Sequence, residues 1–139
     1  MSTALQNTIE TGWDNRASIT PETDGELREA VEKVIAAVDA GKLRVAEKKD
    51  GEWIVNQWVK QAILLSFRLN ENELITGPQQ GGVPAAWYDK VPLKFRGWDA
   101  AQFKAAGFRA VPGSFVRYGS FIDTGVVLMP SFVNIGAHV

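Results

Sequence analysis

From Phe115 onward the chain repeats itself every six residues. Phe115, Phe121, Val127, Val133 and Val139 are bulky and apolar, and Gly119, Gly125, Ser131 or Ala137 follows each of the first four by four positions. A helix has a period of about 3.6 and a flat strand a period of two, so neither produces a strict six. A coil of three short parallel faces does. An apolar side chain fills each face from inside, a small residue turns each corner, and about eighteen residues complete one turn of a parallel β-helix. A β meander with glycine at its turns is the competing reading, and meanders rarely hold a fixed period. One coil alone leaves its apolar interior uncovered and its strand edges open. The repeat runs only from residue 115 to residue 139, so the reading expects a fragment whose coils continue past Val139.

The preceding residues have a different period. Leu5, Ile9 and Trp13 recur every four positions, as one face of a short helix would, and Ile19-Thr20-Pro21 ends that pattern. Thr23 and Glu26 have the spacing of a capping box. Leu27, Val31, Val34, Ile35 and Val38 then form an apolar stripe, and Gly41 suits the left-handed position past the last turn. Leu43, Val45, Trp53 and Val55 flank Asp50-Gly51, which predicts a hairpin that must pack on the helices, because a two-stranded ribbon is marginal alone. A third helix is predicted from about Asn56 to Leu69, with Trp58, Ala62, Leu65 and Leu69 on one face. Gly77 to Pro84 reads as a mobile loop. Asp99, Gln102 and Gly107 mark both ends of a short helix. The predicted division is a helical unit with hairpin and junction over 1–114, and the start of the coil over 115–139.

Composition narrows the function. There is no cysteine, which excludes disulfides and thiolate chemistry. No apolar run reaches the length of a membrane span, and Glu10, Asp14, Glu22 and Asp24 occupy the place of a signal peptide; a soluble, cytoplasmic protein is expected. The net charge of -1 gives no reason to expect nucleic acid or an anionic membrane as partner. That sum hides an asymmetry. Residues 1–86 hold nine basic and thirteen acidic side chains, whereas residues 87–122 hold Lys90, Lys94, Arg96, Lys104, Arg109 and Arg117 against Asp89 and Asp99. The second stretch can face an anion or can simply be solvated. No His, Asp and Glu spacing resembles a metal ligand set, so no metal is expected. His138, the single histidine, lies beside the anchor Val139 and reads as a surface residue on the outside of the coil.

The six-residue pattern resembles the hexapeptide repeat of left-handed β-helix acyltransferases. With Leu43–Lys48, Asn56–Lys60, Ile63–Arg68, Tyr88–Pro92, Gly107-Phe108-Arg109 and Val127–Ala137 read beside it, the chain is similar to the tetrahydrodipicolinate N-succinyltransferase family from its first helices to Val139. The resemblance implies a homotrimer with sites between neighbouring β-helices. It implies transfer of succinyl from succinyl-CoA, a co-substrate and not a permanent cofactor, to an amine of a small dicarboxylate in the lysine and diaminopimelate branch. It also implies that Arg109 binds the dicarboxylate, and bidentate guanidinium geometry suits that role. Met129, Pro130, Ser131 and Asn134 are candidate neighbours of the site in the first coil. The acidic catalytic residue and the CoA-binding coils are expected beyond Val139, so the fragment is expected to be inactive. The alternative is a noncatalytic helical module that uses its short β segment for assembly or partner binding.

Overall fold

The computed structural model describes residues 3–80 and 83–139. Helices α1 (Thr3–Asp14), α2 (Glu26–Asp39) and α3 (Gln57–Leu69) pack on one another around Ile9, Val34, Val38, Val59 and Leu65, all essentially inaccessible. Each apolar stripe of the sequence faces this core. Among the described residues no helix is long and apolar enough to cross a membrane.

The helix ends show which local signals the chain uses. Gly41 takes φ 70° after α2, and the Gly41 and Lys42 amides donate to Val38 and Ala37 at 3.0 and 2.9 Å. These two bonds satisfy carbonyls that the last turn leaves open. The start of α2 differs from the expectation. Gly25, at φ 83°, precedes its first turn, and Thr23 Oγ1 accepts from the Thr20 amide at 3.0 Å. Thr23 therefore closes a turn with Thr20 and does not cap the helix, because its hydroxyl finds the nearer donor.

Strands β1 (Ala46–Lys49) and β2 (Glu52–Val55) pair antiparallel across Asp50-Gly51, whose φ angles of 51° and 89° give the two-residue turn. The ribbon does not pack on the helices as expected. Trp53, Ile54 and Val55 are all exposed. It is held at its base, where the Asn56 amide donates to Val45 O at 2.8 Å and Asn56 Nδ2 donates to Arg44 O at 2.8 Å and Glu47 Oε1 at 3.0 Å.

The predicted loop from Gly77 to Pro84 is a second correction. Glu73–Gln80 (β3) and Val83–Asp89 (β4) form an antiparallel hairpin, with Leu74 opposite Tyr88, Ile75 opposite Trp87, and a register shift between Gly77 and Gln80. Both strands are edges, where proline costs no ladder bond if its nitrogen faces outward, so the turn formers do not exclude strand. Gly81 and Gly82 lie outside the described residues.

Helix α4 (Ala100–Ala106) carries both halves of the predicted capping box: the Gln102 amide donates to Asp99 Oδ1 and the Asp99 amide to Gln102 Oε1, each at 2.9 Å. Gly107 ends it at φ 74°. The chain then enters four two-residue strands, β5 (Arg109–Ala110), β6 (Phe115–Val116), β7 (Val127–Leu128) and β8 (Phe132–Val133). β5 pairs parallel with β7 and β6 parallel with β8, and Phe121 bridges His138 in the same sense. The partners are Arg109 with Val127, Phe115 with Phe132, and Phe121 with His138, offsets of eighteen, seventeen and seventeen positions.

The period of six is present in another register. Val116, Ile122 and Leu128 are buried, and Val133 joins them one position early, matching the shortened second offset; Phe115 and Phe121 are only half-buried, and Val127 and Val139 are exposed. The inward positions thus lie one residue after the predicted anchors, Val133 excepted. The two phenylalanines are covered from outside the repeat, Phe115 edge-on against Trp87 at 5.6 Å and Phe121 over Gly41. A second cluster of Phe108, Val116, Ile122, Leu128 and Val133 forms the interior.

One face of the repeat docks on the helices. Tyr118 and Ile135 pack against the helical core. A Cβ added at Gly119 would meet Ile35 Cγ2 at 3.0 Å, and one at Gly136 would meet Ile63 Cδ1 at 2.9 Å, so glycine permits this approach. Asp39, the last residue of α2, fixes it: its Oδ1 accepts from the Gly119 amide at 2.9 Å and from Lys94 Nζ at 2.7 Å.

Candidate functional site

The cations of residues 87–122 separate into two kinds. Lys94 is buried in its ion pair with Asp39, Arg117 Nη2 binds Asp89 Oδ2 at 2.7 Å, and Lys90 Nζ donates to Phe67 O at 2.9 Å. These three hold elements together. Arg96, Lys104 and Arg109 are exposed and make no side-chain hydrogen bond or ion pair among the described residues.

Arg109 stands apart because its backbone is fixed on both sides. Gly107 turns the chain out of α4 in the left-handed conformation, and its carbonyl accepts from the Gly125 amide at 2.8 Å. Phe108 is buried, with ring centroids 5.5 Å from Phe95, 6.0 Å from Trp98 and 6.2 Å from Phe103. The Arg109 amide then donates to Val126 O at 2.9 Å, and that of Val111 to Leu128 O at 2.9 Å. In Gly107-Phe108-Arg109 the glycine aims the chain, the phenylalanine anchors it, and the arginine faces solvent. A charged guanidinium carried on a fixed strand, with its donors unspent, can accept a carboxylate through two parallel hydrogen bonds.

The parallel pairing sets Val127 beside Arg109, and exposed Val127 and Met129 provide an apolar flank. Pro130 continues this row, 3.5 Å from the Cβ position of Gly113. Ser131 is exposed with its hydroxyl donating to Met129 O at 2.6 Å, so its size and turn geometry account for it. Asn134 belongs to the other strand pair, where Oδ1 accepts from Arg117 Nη1 at 3.1 Å and from the Ile135 amide at 2.9 Å. The candidates thus divide: Met129, Pro130 and Ser131 share the row of β7, whereas Asn134 supports Arg117.

The region around Arg117 is one that the sequence did not single out. A cleft of about 390 Å³ lies between the second hairpin and the repeat, bordered by Trp87, Asp89, Phe115, Arg117 and Phe132. The Arg117 guanidinium sits 5.5 Å from the Phe132 ring centroid. Asp89 and Arg117 are 28 residues apart, and no local spacing announces such a pair.

His138 is a further correction. It is half-buried, its ring 4.7 Å from that of Phe121, and is not a free surface residue. Its Nδ1 is buried with no hydrogen-bond partner among the described residues. Burial first, and then the positive charge of Arg44, hold its pKa below the usual imidazole value, against a smaller opposing effect of Asp123.

Comparison with known proteins places these features in a wider set. Residues 4–69 match a family model described as the tetrahydrodipicolinate N-succinyltransferase N-terminal region. A 2,3,4,5-tetrahydropyridine-2,6-dicarboxylate N-succinyltransferase of Methylobacterium sp. (strain 4-46) is 59% identical over 136 residues, which cover 97% of this chain and 47% of the relative. Proteins of the same name from Paramagnetospirillum magneticum (strain ATCC 700264 / AMB-1) and Caulobacter vibrioides (strain ATCC 19089 / CIP 103742 / CB 15) are 56% and 55% identical. They cover 98% and 97% of this chain and 48% and 49% of their own length. The chain spans about half the length of the curated relatives it matches.

Proposed function

From a chain that corresponds to the N-terminal portion of the tetrahydrodipicolinate N-succinyltransferase family, we propose that these residues contribute the dicarboxylate-binding half of an N-succinyltransferase. In this reading the helical unit, hairpins and junction extend to residue 114, and residues 115–139 open a left-handed β-helix. The protein is a cytoplasmic homotrimer with sites between neighbouring coils, acting in lysine and diaminopimelate synthesis. The offsets of seventeen and eighteen positions between parallel partners support the coil.

Water first adds to the C=N bond of the cyclic imine dicarboxylate and exposes an amine, which the reaction then joins to the succinyl carbonyl of succinyl-CoA. A C–N bond forms, the thioester C–S bond breaks, CoA leaves as thiolate, and the proton lost by the amine is available to it. Arg109 takes no part in those bonds. Its task is to hold a substrate carboxylate, which fixes the amine relative to the thioester. The observation that carries this role is the exposed guanidinium, unpartnered among the described residues, on a strand anchored by buried Phe108.

The test is Arg109→Lys in a protein that contains this chain and spans the full length of its relatives. A lysine keeps the charge and loses the two-pronged geometry, so KM for the dicarboxylate is expected to rise by about tenfold or more, with KM for succinyl-CoA little changed. An unchanged dicarboxylate KM would remove Arg109 from the binding role.

A further inference from the structure

A cavity of about 420 Å³ opens where α2, the end of α3, residues 90–92 and the docked face of the repeat meet. It lies apart from the row of Arg109 and within the usual size range of small-molecule sites. Its floor is apolar, made by the buried side chains Val31, Ile35, Leu69 and Val91. Its rim carries charge of both signs.

Arg28 is fastened in place by carbonyls. Its Nε donates to Thr23 O at 2.9 Å, and its Nη2 donates to Pro21 O at 2.6 Å and Leu69 O at 2.9 Å. Among the described residues Nη1 has no hydrogen-bond partner. Lys90 spends one of its three donors on Phe67 O. Glu32 stands one turn beyond Arg28 on α2 and forms no ion pair within 4 Å among the described residues. Tyr118 also borders the space, its hydroxyl without a hydrogen bond among the described residues. Burial first, then the charges of Asp39 and Glu32, push its pKa up, so it remains a donor.

We propose that this cavity binds a free aliphatic α-amino acid, with its carboxylate on Arg28 Nη1 and Lys90, its ammonium on Glu32, and its side chain on the apolar floor. A simple carboxylate would leave Glu32 uncompensated and a simple amine would leave the two cations so; a zwitterion answers both. The ligand would touch both the helices and Ile135 of the repeat, and so would bind only the docked arrangement.

The test uses the labelled protein and three probes with the same aliphatic body: L-leucine, 4-methylpentanoate without the ammonium, and 3-methylbutylamine without the carboxylate. Amide shifts in an NMR titration report binding. L-Leucine is expected to bind saturably, shifting Val31, Ile35, Leu69 and Val91, with each analogue about tenfold weaker or worse. Glu32→Gln is expected to abolish the advantage of leucine over 4-methylpentanoate, with 4-methylpentanoate binding at least as tightly as to the native protein. Ala36→Leu, at an exposed helical position bordering the cavity, is expected to block all three probes while the remaining spectrum shows an intact fold. Equal binding of the three probes, no saturable shift with leucine, or shifts that survive Ala36→Leu would overturn the proposal.

Discussion

Lys94 and Asp39 decide how the two parts of the molecule meet. Their side chains are only 6% and 19% exposed, so removing one partner strands a charge where water cannot easily reach it. Lys94→Met is expected to lower unfolding free energy by about 3 kcal/mol in a urea titration. Adding Asp39→Asn should return part of that loss, because the amide keeps an acceptor for the Gly119 amide and discards the stranded charge. His138 sets a dependence on pH. Its folded-state pKa lies below the unfolded value of about 6.5, so the unfolded chain binds the proton more readily. The stability it contributes is complete above about pH 6.5 and is lost as pH falls through the lower folded value. Thermal denaturation is expected to show Tm falling between about pH 7 and 5.5 in the native protein and less so in His138→Gln; parallel profiles would exclude this residue as the cause.

Glycine in the repeat offers a comparison that separates backbone from packing. Gly119 and Gly125 have φ near 84° and 80°, but a Cβ at Gly119 would lie 2.7 Å from Ile135 Cγ1, whereas no described residue has an atom within 4 Å of one at Gly125. Gly125→Ala is expected to cost about 1–2 kcal/mol, the strain of the left-handed backbone. Gly119→Ala adds about 1–3 kcal/mol of overpacking, and denaturant unfolding of the two variants measures the difference. At α4, Asp99→Ala should cost about 1 kcal/mol through loss of the capping box. Features of this kind were legible beforehand: Asp99 with Gln102, Gly41, Asp50-Gly51 and the helical stripes all act through neighbours within a few positions. The second hairpin was not, because its turn formers outweighed the Leu74–Ile75 and Trp87–Tyr88 pairing that only its partner strand reveals. The inward register of the repeat failed for a related reason: hydrophobicity shows that Phe115 and Phe121 are covered, but not by which neighbour. Arg109 could be singled out only through its motif, and its freedom from ion pairs emerged only once Arg117 and Lys94 had found partners 28 and 55 positions away.

The described residues form two interiors, one around Ile9, Val34 and Leu65 and one around Val116, Ile122 and Leu128. Substitutions buried in separate clusters should combine simply. Val34→Ala and Ile122→Val are expected to lower stability by amounts that add within about 0.5 kcal/mol in the double variant, and a larger discrepancy would mean that docking fuses the clusters energetically. The bond from Asp39 to the Gly119 amide also bears on the order in which the chain acquires its shape. It closes a separation of 80 residues, whereas partners inside the repeat are only seventeen or eighteen apart. Ring closure over the longer span costs about 1.3 kcal/mol more in chain entropy. Helices and the parallel-paired repeat should therefore nucleate independently and collide late, with Asp39 engaged after the folding barrier, so that Asp39→Ala quickens unfolding and scarcely slows refolding.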